Sequence, residues 1–170
     1  MNNIPLFCFG SLMDWDVINC VLGEKIEGLS MVDAEFPGYR VATLPHESYP
    51  VLVSDEKAMA NGKLLSGLEQ AHLDRIIFFE GEEYQIRPCT VRSPSGDVEA
   101  RFFDEAIMPA PEMTDWCFTQ WQQQHKSFLL RQSEVYMSYY GKMSAAEADY
   151  YWQTYSEVDF DQPLIAAANG

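Results

Sequence analysis

Apolar and polar positions at the start of the chain follow two patterns in turn. Residues 4–9 form a short apolar run that ends in a Gly-Ser pair, as is typical of a buried strand. Apolar side chains then recur every three or four residues as far as Gly23, a residue that can end a helix. Ser11, three residues before Asp14, is placed to cap that helix. The pattern predicts a strand, a Gly-Ser turn and a helix.

The middle of the chain alternates between short apolar segments and turn residues. Pro37-Gly38 and Asn61-Gly62 are strong turn signals, and apolar residues at helical spacing predict a helix over residues 69–79. The predicted strands are residues 30–36, 39–44, 49–53, 63–68, 83–91 and 98–103. The last two strands flank the turn "SPSGD" and predict a hairpin.

Two amphipathic helices are predicted in the last third of the chain. The prolines of "MPAPE" mark a boundary, since proline disrupts regular structure. Apolar residues predict one helix over residues 114–140, and Ser144 with Glu147 matches the capping box that begins a second. Their aromatic faces are expected to cover the preceding region or a second copy of the chain, as in a homodimer. We predict an α+β fold with a domain at residues 1–108 and a helical extension at residues 109–170.

Composition and charge exclude several classes of function. The 170 residues carry a formal net charge of −15, so phosphate backbones and anionic lipid surfaces would be repelled, and neither nucleic acid nor membrane is an expected partner. The N-terminal "MNNIPLFCFG" lacks the basic start of a signal peptide, and no apolar run approaches the ~20 residues of a membrane span. We therefore expect a soluble, cytoplasmic protein.

The cysteines and histidines form no pattern of a metal site. The four cysteines are far apart and show no C-x-x-C spacing, and the three histidines are isolated. Buried free thiols in a reducing compartment are the expectation for such cysteines. Neither a zinc site nor an iron site is predicted.

One carboxylate stands at the end of a core-type apolar run, in "DRIIFFEGEEYQIR". Glu80 follows four bulky apolar residues, and its position alone favours an ordinary carboxylate at a helix end or turn. The alternative is a carboxylate held against apolar walls, where its ionised form is disfavoured and its pKa rises toward neutrality. Glu82 and Glu83, which flank the turn, are expected to face solvent. Tyr84 opens a strand and could either pack there or line a substrate pocket.

The stretch "FCFGSL" is a second candidate for chemistry. A buried strand that ends in Gly-Ser and leads into a helix directs free backbone N–H groups at one point, and such a turn binds carboxylate or phosphate. Gly10 lets a ligand approach the backbone closely. The pattern alone is weak, because many strand–turn–helix units bind nothing.

These two stretches together resemble a known family. "FCFGSL" resembles the Tyr-Gly-Ser/Thr-Leu signature of the γ-glutamylcyclotransferase-like proteins, which include the AIG2-like group. "FFEGEEY" resembles their second signature, an aromatic-Glu-Gly turn followed by a tyrosine and a strand. "PGYR" and "YPVLV" lie between the two in the family's usual order, and the "SPSGDVEARFF" hairpin follows. The resemblance covers about residues 4–105 and implies a small mixed β-barrel with flanking helices.

The resemblance also implies roles for particular residues. The loop that would bind the γ-glutamyl group consists of Phe9, Gly10, Ser11 and Leu12. Glu80 would be the catalytic acid/base. Neither a metal nor an organic cofactor is called for.

Three positions depart from the family's pattern. Phe9 replaces the tyrosine of the first signature and so removes one hydroxyl from the loop. Ile77 stands where the family often has an acid, three residues before the catalytic glutamate. The arginine that often follows the tyrosine closely arrives later, as Arg87, and is not assigned a role. The Gly-Ser loop and Glu80 are retained.

The activity that the resemblance implies is the cyclisation of small γ-glutamyl substrates. The free α-amine of a γ-glutamyl amine, amino acid or dipeptide attacks the γ-carbonyl, which gives 5-oxoproline and releases the amine. Because the nucleophile is in the substrate, the protein needs a carboxylate that accepts and donates protons and a loop that folds the substrate for attack.

Two other classes of function remain as alternatives. A non-catalytic module could bind a small carboxylate in the same pocket. A thiol hydrolase could use Cys8, which precedes the loop, although strand alternation places Cys8 on the face opposite to Phe9.

Overall fold

The structure is a computed structural model that describes residues 3–23, 26–45, 48–81, 84–105 and 107–153. Its strands are β1 (Leu6–Cys8), β2 (Ser30–Thr43), β3 (Val51–Ser66), β4 (Gln85–Ser93), β5 (Gly96–Asp104) and β6 (Thr114–Asp115). Its helices are α1 (Trp15–Leu22), α2 (Gln70–Glu80), α3 (Phe118–Gln124), α4 (Lys126–Met137) and α5 (Ala145–Gln153). A 3₁₀ turn, Ser11–Met13, separates β1 from α1.

Five strands close into a small mixed barrel. Neighbouring strands follow the order β3-β1-β5-β4-β2, and β2 also pairs with β3, which joins the two ends of the sheet. β1 runs parallel to β5, with Leu6 opposite Arg101, whereas the other pairs are antiparallel. The short β6 pairs with the end of β2. The expected α+β fold and barrel are confirmed, as is the hairpin of β4 and β5.

The two long strands that close the barrel differ from the prediction. β2 and β3 are each continuous, whereas the turn signals Pro37-Gly38 and Asn61-Gly62 predict a break in each. β2 accommodates its proline by a register shift before Tyr39, and such irregularities are where strands tolerate proline. Pairing on both sides of this shift therefore overrides the local turn preference.

Gly62 is required by a close approach of β1 rather than by a turn. A Cβ atom at this position would lie 2.4 Å from the carbonyl oxygen of Cys8 and 2.6 Å from the ring of Phe7. Both atoms belong to β1, which pairs with β3 here. A glycine inside a strand often marks such a close backbone contact. Gly62 therefore lets β1 pack against β3 just before the chain enters the Gly-Ser loop.

Alternation along β1 sends its side chains into two different cores. Phe7 packs inside the barrel, where its ring meets that of Phe36 edge to face with 5.6 Å between centroids and Phe36 meets Phe102 at 5.2 Å. Leu6 and Cys8 pack on the other side, among buried residues of the helices. β1 thus lies between the barrel interior and the helical layer.

The first helix begins at a different residue from the one predicted. Asp14, not Ser11, is the N-cap of α1, and the Asp14 carboxylate accepts a hydrogen bond from the N–H of Asp16 at 2.8 Å. Ser11 instead begins the 3₁₀ turn, which delays the start of the helix by three residues. Gly23 ends α1 in the left-handed conformation, with φ of 66°, as predicted.

The described part of the C-terminal region contains three helices, not two. His125 has a non-helical backbone and separates α3 from α4, and residues 114–115 form β6 instead of helix. α5 begins at the predicted capping box: the N–H of Ser144 donates to Glu147, and the N–H of Glu147 donates to the Ser144 hydroxyl, both at 3.1 Å. Residues 154–170 of the predicted extension lie outside the described residues.

The C-terminal helices pack on the first part of the chain. Trp121, Met137, Tyr139 and Ala148 are buried in the same core as α1. The described aromatic faces therefore cover the preceding region, one of the two expected arrangements. The division of the chain after residue 108 and a homodimer through these helices stay predictions. Within the described residues, no helix has both the length and the apolar character needed to cross a membrane.

A buried ion pair anchors α3 and α4 to α1. The Asp14 side chain is 3% exposed and accepts hydrogen bonds from Lys126 Nζ and Gln122 Nε2, both at 2.9 Å. Lys126 also contacts the Asp16 carboxylate at 2.6 Å. Burial by itself raises the pKa of Asp14, but the hydrogen bonds from Gln122, Lys126 and the Asp16 N–H outweigh it and hold the pKa below its ordinary value.

We expect Asp14→Asn to lower the free energy of unfolding by about 1–3 kcal/mol at pH 7, even though asparagine can still cap the helix. Because the pKa of Asp14 is lowered in the folded protein, its stabilisation is present above about pH 4 and is lost as the pH falls through the folded-state pKa. The difference in free energy of unfolding between wild type and variant therefore becomes smaller on acidification. Urea unfolding at pH 7 and pH 3 measures it.

Asp33→Asn is the matched control for this experiment. The Asp33 carboxylate contacts Lys63 at 3.1 Å but is 87% exposed, so its loss is expected to change the free energy of unfolding by less than about 1 kcal/mol. Equal stabilities of the Asp14 and Asp33 variants at pH 7 would show that the buried pair does not anchor the helices.

We expect Gly62→Ala to lower the free energy of unfolding by about 1–3 kcal/mol, because the added methyl group meets a backbone carbonyl that cannot move aside. Urea unfolding again provides the measurement. Ser54→Ala, at an exposed position of the same strand, is the control and should leave stability nearly unchanged. A Gly62→Ala protein as stable as this control would contradict the close approach of β1.

Candidate active site

A cavity of about 620 Å³ lies where β1 ends, between the barrel and the C-terminal helices. All six residues predicted from the sequence to form a site line it: Phe9, Gly10, Ser11, Leu12, Glu80 and Tyr84. The first four follow β1, Glu80 is the last residue of α2, and Tyr84 stands just before β4. The fold thus brings the two sequence signatures to one place, while the roles of these residues stay predictions.

The loop after β1 is held in shape by tight packing. Gly10 has φ of −133° and ψ of −141°, and a Cβ atom on it would lie 2.7 Å from the Pro50 ring. The 3₁₀ turn is closed by N–H groups of Met13 and Asp14, which donate to Gly10 and Ser11 at 3.0 Å. The N–H groups earlier in the loop lie in the first turn, where a helix offers them no partner. They are available to a bound anion.

Glu80 lies both at a helix end and in the cavity. It is therefore a helix-end carboxylate and, at the same time, a carboxylate held in a partly apolar pocket. α2 ends at Glu80, where the N–H of the following Gly81 donates to Ile77 at 3.1 Å. Ile76 and Phe78 are buried on the core side of the helix. The Glu80 side chain is half-buried because it faces the cavity.

The environment of Glu80 disfavours its ionised form. Burial, followed by the negative charge of Glu105, raises the pKa of Glu80 from the ordinary 4.5 to about 7. The carboxyl end of a helix also carries partial negative charge, which acts in the same direction. Near neutral pH Glu80 therefore exists in both protonation states, as a residue that both accepts and donates protons requires.

Glu105 is a site residue that the sequence analysis did not identify. It follows the end of β5 and lines the cavity with Glu80. Its only signal in the sequence is that two acids, Asp104 and Glu105, follow the apolar pair of "RFFDE", a weaker form of the pattern around Glu80. In the structure Gln85 pairs with Asp104, so the segment that follows Glu80 runs beside the end of β5 and both carboxylates reach one cavity. No local pattern around either residue shows this.

The end of α2 is fixed by contacts with α4. The Tyr136 hydroxyl donates to the carbonyl oxygen of Phe78 at 2.8 Å, and the two rings lie 5.0 Å apart between centroids. On the same side, the Arg75 guanidinium lies 4.7 Å from the centre of the Tyr140 ring, and Arg75 Nε donates to the Val21 carbonyl at 2.6 Å. α1 and α4 together therefore position the helix that presents Glu80.

The C-terminal helices also form one wall of the cavity. α4 contributes Leu129, Gln132, Ser133 and Tyr136, and α5 contributes Ala145, Ala146 and Asp149. The sequence pattern predicts only a covering role for these helices. A signal was present, because the polar pair Gln132-Ser133 interrupts the apolar face of α4, and Ser133 is only 2% exposed.

Cys8 is unsuited to nucleophilic catalysis. The side chain is 3% exposed, and burial followed by the charge of Glu80 raises the pKa of its thiol far above the ordinary value. Since the thiolate is the reactive form, the buried thiol is inert. Cys8 packs with the helical core and Phe9 with the barrel core, as strand alternation predicts. Both residues nevertheless line the cavity, so the expectation that Cys8 faces away from it was wrong. The inert thiol still disfavours a thiol hydrolase.

Two further predictions concern the neighbours of Glu80. Glu82 and Glu83, expected to face solvent, lie outside the described residues. Tyr84 both packs and lines the cavity, with its ring 6.3 Å from that of Phe103 between centroids. Arg87 binds Asp104 at 2.8 Å on the protein surface and does not contribute to the cavity.

Comparison with known proteins agrees with this geometry. The model of the family described as "Gamma-glutamyl cyclotransferase, AIG2-like" matches residues 6–127. The chain belongs to this family. It is 33% identical over 124 residues to AIG2-like protein A of Arabidopsis thaliana, an alignment that covers 71% of this chain and 73% of that protein. It is 24% identical over 165 residues to Protein AIG2 B of the same plant, covering 95% and 94%.

Solved structures have the same fold as this AIG2-like chain. The solution structure of one Arabidopsis thaliana protein matches with a TM-score of 0.59 at 24% identity, covering 83% of this chain and 95% of that one. A second solution structure from the same plant matches with a TM-score of 0.58 at 23% identity, covering 84% and 86%. The family match extends through α3 to the first residues of α4, and so includes part of the C-terminal helical region.

We expect Glu80→Gln to stabilise the protein above neutral pH. Because the pKa of Glu80 is raised in the folded state, the folded protein binds more protons than the unfolded chain between about pH 4.5 and 7, and wild-type stability falls across this window. Glutamine does not titrate. We compare the free energy of unfolding of the variant with that of wild type at each pH. This difference should be up to about 3 kcal/mol more favourable to the variant at pH 8 than at pH 4.5.

Thermal or urea unfolding at the two pH values measures this gain. Glu56→Gln, at an exposed position of β3, is the control and should show no such change. If the Glu80→Gln and Glu56→Gln variants follow the same pH dependence as wild type, Glu80 does not carry a raised pKa.

Proposed function

We propose that this protein is an enzyme that cyclises γ-glutamyl compounds to 5-oxoproline and releases the amine, amino acid or peptide attached to the γ-carbon. The observation that carries the proposal is that Glu80 and the Phe9–Leu12 loop line the same cavity, where burial and the charge of Glu105 raise the pKa of Glu80 to about 7. Membership of the γ-glutamyl cyclotransferase, AIG2-like family supports the same reaction class.

Glu80 would move protons between the two nitrogens of the reaction. The α-amine of the substrate is mostly protonated near neutral pH, so the Glu80 carboxylate accepts a proton from it before the neutral amine attacks the γ-carbon. The attacking nitrogen gives up a second proton as the five-membered ring forms. Glu80 passes the two protons one after the other to the leaving nitrogen, which departs as an ammonium ion when the original C–N bond breaks. A group with a pKa near the working pH performs both steps.

The loop would hold the γ-glutamyl half in the folded conformation that the attack needs. No lysine, arginine or histidine is among the described residues that line the cavity, so backbone N–H groups of Gly10, Ser11 and Leu12 are the donors suited to the α-carboxylate. The carboxylate of Glu105 favours the cationic α-amine. Fixing this conformer contributes up to ~7–11 kcal/mol through effective molarity.

The reaction needs neither a metal nor an organic cofactor, because the nucleophile belongs to the substrate. We also propose a cytoplasmic location, in keeping with four cysteines that are all free thiols in the structure.

The second candidate is a non-catalytic module that binds a small carboxylate in the same cavity. One observation favours it: Phe9 stands where the family's first signature has a tyrosine, which removes one hydroxyl from the loop. The Gly-Ser loop that would bind the carboxylate is retained. The two candidates differ in whether Glu80 transfers protons.

We expect Glu80→Gln to reduce 5-oxoproline release by at least ~100-fold, since general acid–base catalysis contributes about 10²–10⁴. The measurement is 5-oxoproline formed from a panel of γ-glutamyl amines, amino acids and dipeptides. Because Glu80 must be ionised to accept the first proton, wild-type kcat/KM should fall as the pH drops below about 7.

Glu56→Gln is the control and should keep wild-type turnover. Equal turnover by the Glu80 variant and wild type would exclude Glu80 as the acid/base. If neither wild type nor the Glu80→Gln variant forms 5-oxoproline while γ-glutamyl compounds still raise the melting temperature, the binding module replaces the enzyme as the better explanation.

A further inference from the structure

The cavity has two sides that correspond to the two halves of a γ-glutamyl substrate. The loop after β1 and the end of α2 form one side, where the γ-glutamyl group and the scissile bond would lie if the proposed function holds. α4 and α5 form the other side. The amine half extends away from the γ-carbon, so it would meet these two helices.

Gln132 is the residue of this wall best suited to bind a ligand. It lies on α4, lines the cavity and is half-buried. Its amide makes no hydrogen bond to any described residue, whereas the half-buried Gln122 of α3 donates to Asp14 at 2.9 Å. An amide offers two N–H donors and one acceptor, so Gln132 can hydrogen-bond a polar group of a ligand in the cavity.

A second polar group beside Gln132 has the same property. Ser133 also lines the cavity and is 2% exposed, and its hydroxyl oxygen is buried with no hydrogen-bond partner among the described residues. Two adjacent polar side chains without partners contribute no hydrogen bond to the packing of α4. Their place on the cavity wall is explained if this part of the helix is shaped for a polar ligand.

We propose that Gln132 is a specificity-determining residue, whose amide hydrogen-bonds a polar group on the amine half of the substrate. This inference rests on the proposed function for the orientation of the substrate. It predicts that the C-terminal helices, and not the barrel, discriminate between γ-glutamyl compounds. A site built to hydrogen-bond a hydroxyl group rejects an analogue that lacks it, because its own polar groups are then left unpaired.

Two synthetic probes isolate this interaction. γ-Glutamyl ethanolamide and γ-glutamyl propylamide share the γ-glutamyl half and differ in the amine half by a hydroxyl in place of a methyl group. The readout is the ratio of kcat/KM, and of binding affinity, for the hydroxylated over the alkyl compound. We expect a ratio of about tenfold for wild type and a ratio near one for Gln132→Met, which keeps the length of the side chain without its hydrogen bonds.

Gln124→Met is the matched control, because Gln124 is exposed at the end of α3 and does not line the cavity. It should keep the wild-type ratio. A Gln132→Met protein that retains the wild-type ratio overturns the proposal. So does an equal loss on both probes, since that result would mean a structural role. Circular dichroism and thermal unfolding confirm that each variant is folded.

The affinity measurements separate this proposal from the proposed function. If wild type binds both probes but forms no 5-oxoproline, the cyclotransferase function fails, and a loss of the affinity ratio in Gln132→Met still supports the contact. If neither probe binds, both proposals fail. If 5-oxoproline forms and wild type does not distinguish the probes, only the role of Gln132 is overturned.

Discussion

The buried carboxylate of Asp14 is the contact on which the arrangement of the cavity depends. It caps α1 directly after the loop that lines the cavity, and it accepts hydrogen bonds from Gln122 of α3 and Lys126 of α4. A buried charge must be paired or it costs several kcal/mol of stability. The Asp14 carboxylate therefore fixes the position of α1, and of the loop before it, relative to α4 of the opposite cavity wall.

Glu80 occupies an unfavourable place for a carboxylate, and the surrounding packing compensates for it. Burial, the charge of Glu105 and the negative end of α2 all disfavour its ionised form. The helix is retained because Ile76 and Phe78 are buried and Tyr136 donates to the Phe78 carbonyl. Carboxylates with a perturbed pKa are concentrated at functional sites, where an arrangement that is locally unfavourable for stability is retained because the chemistry requires it.

The C-terminal helices serve the core and the cavity at the same time. Trp121, Met137 and Ala148 bury apolar surface against the first part of the chain, while Gln132 and Asp149 line the cavity. If the barrel and its loop hold the γ-glutamyl group, the extension is the part of the molecule free to vary with the amine. Substrate choice and reaction chemistry would then reside in different parts of the fold.

Features that depend on neighbours in the chain were determined by the sequence itself. The hairpin of β4 and β5, the capping box of Ser144 and Glu147, and the stop at Gly23 each rest on residues a few positions apart. The two family signatures are enough to identify Glu80 and the Gly-Ser loop as candidate site residues. Such local or motif-based signals require no knowledge of long-range contacts.

Only the tertiary structure decided which distant residues meet. β2 and β3 run through their turn signals because pairing on both sides of the register shift at Pro37–Tyr39 outweighs a local preference. Gly62 is explained by the approach of β1, and the pKa of Glu80 by burial and by Glu105, 25 positions away along the chain. Gln132 lines the cavity only because α4 packs beside the loop. Burial, charge proximity and steric contact act through space, so a one-dimensional pattern contains no record of them.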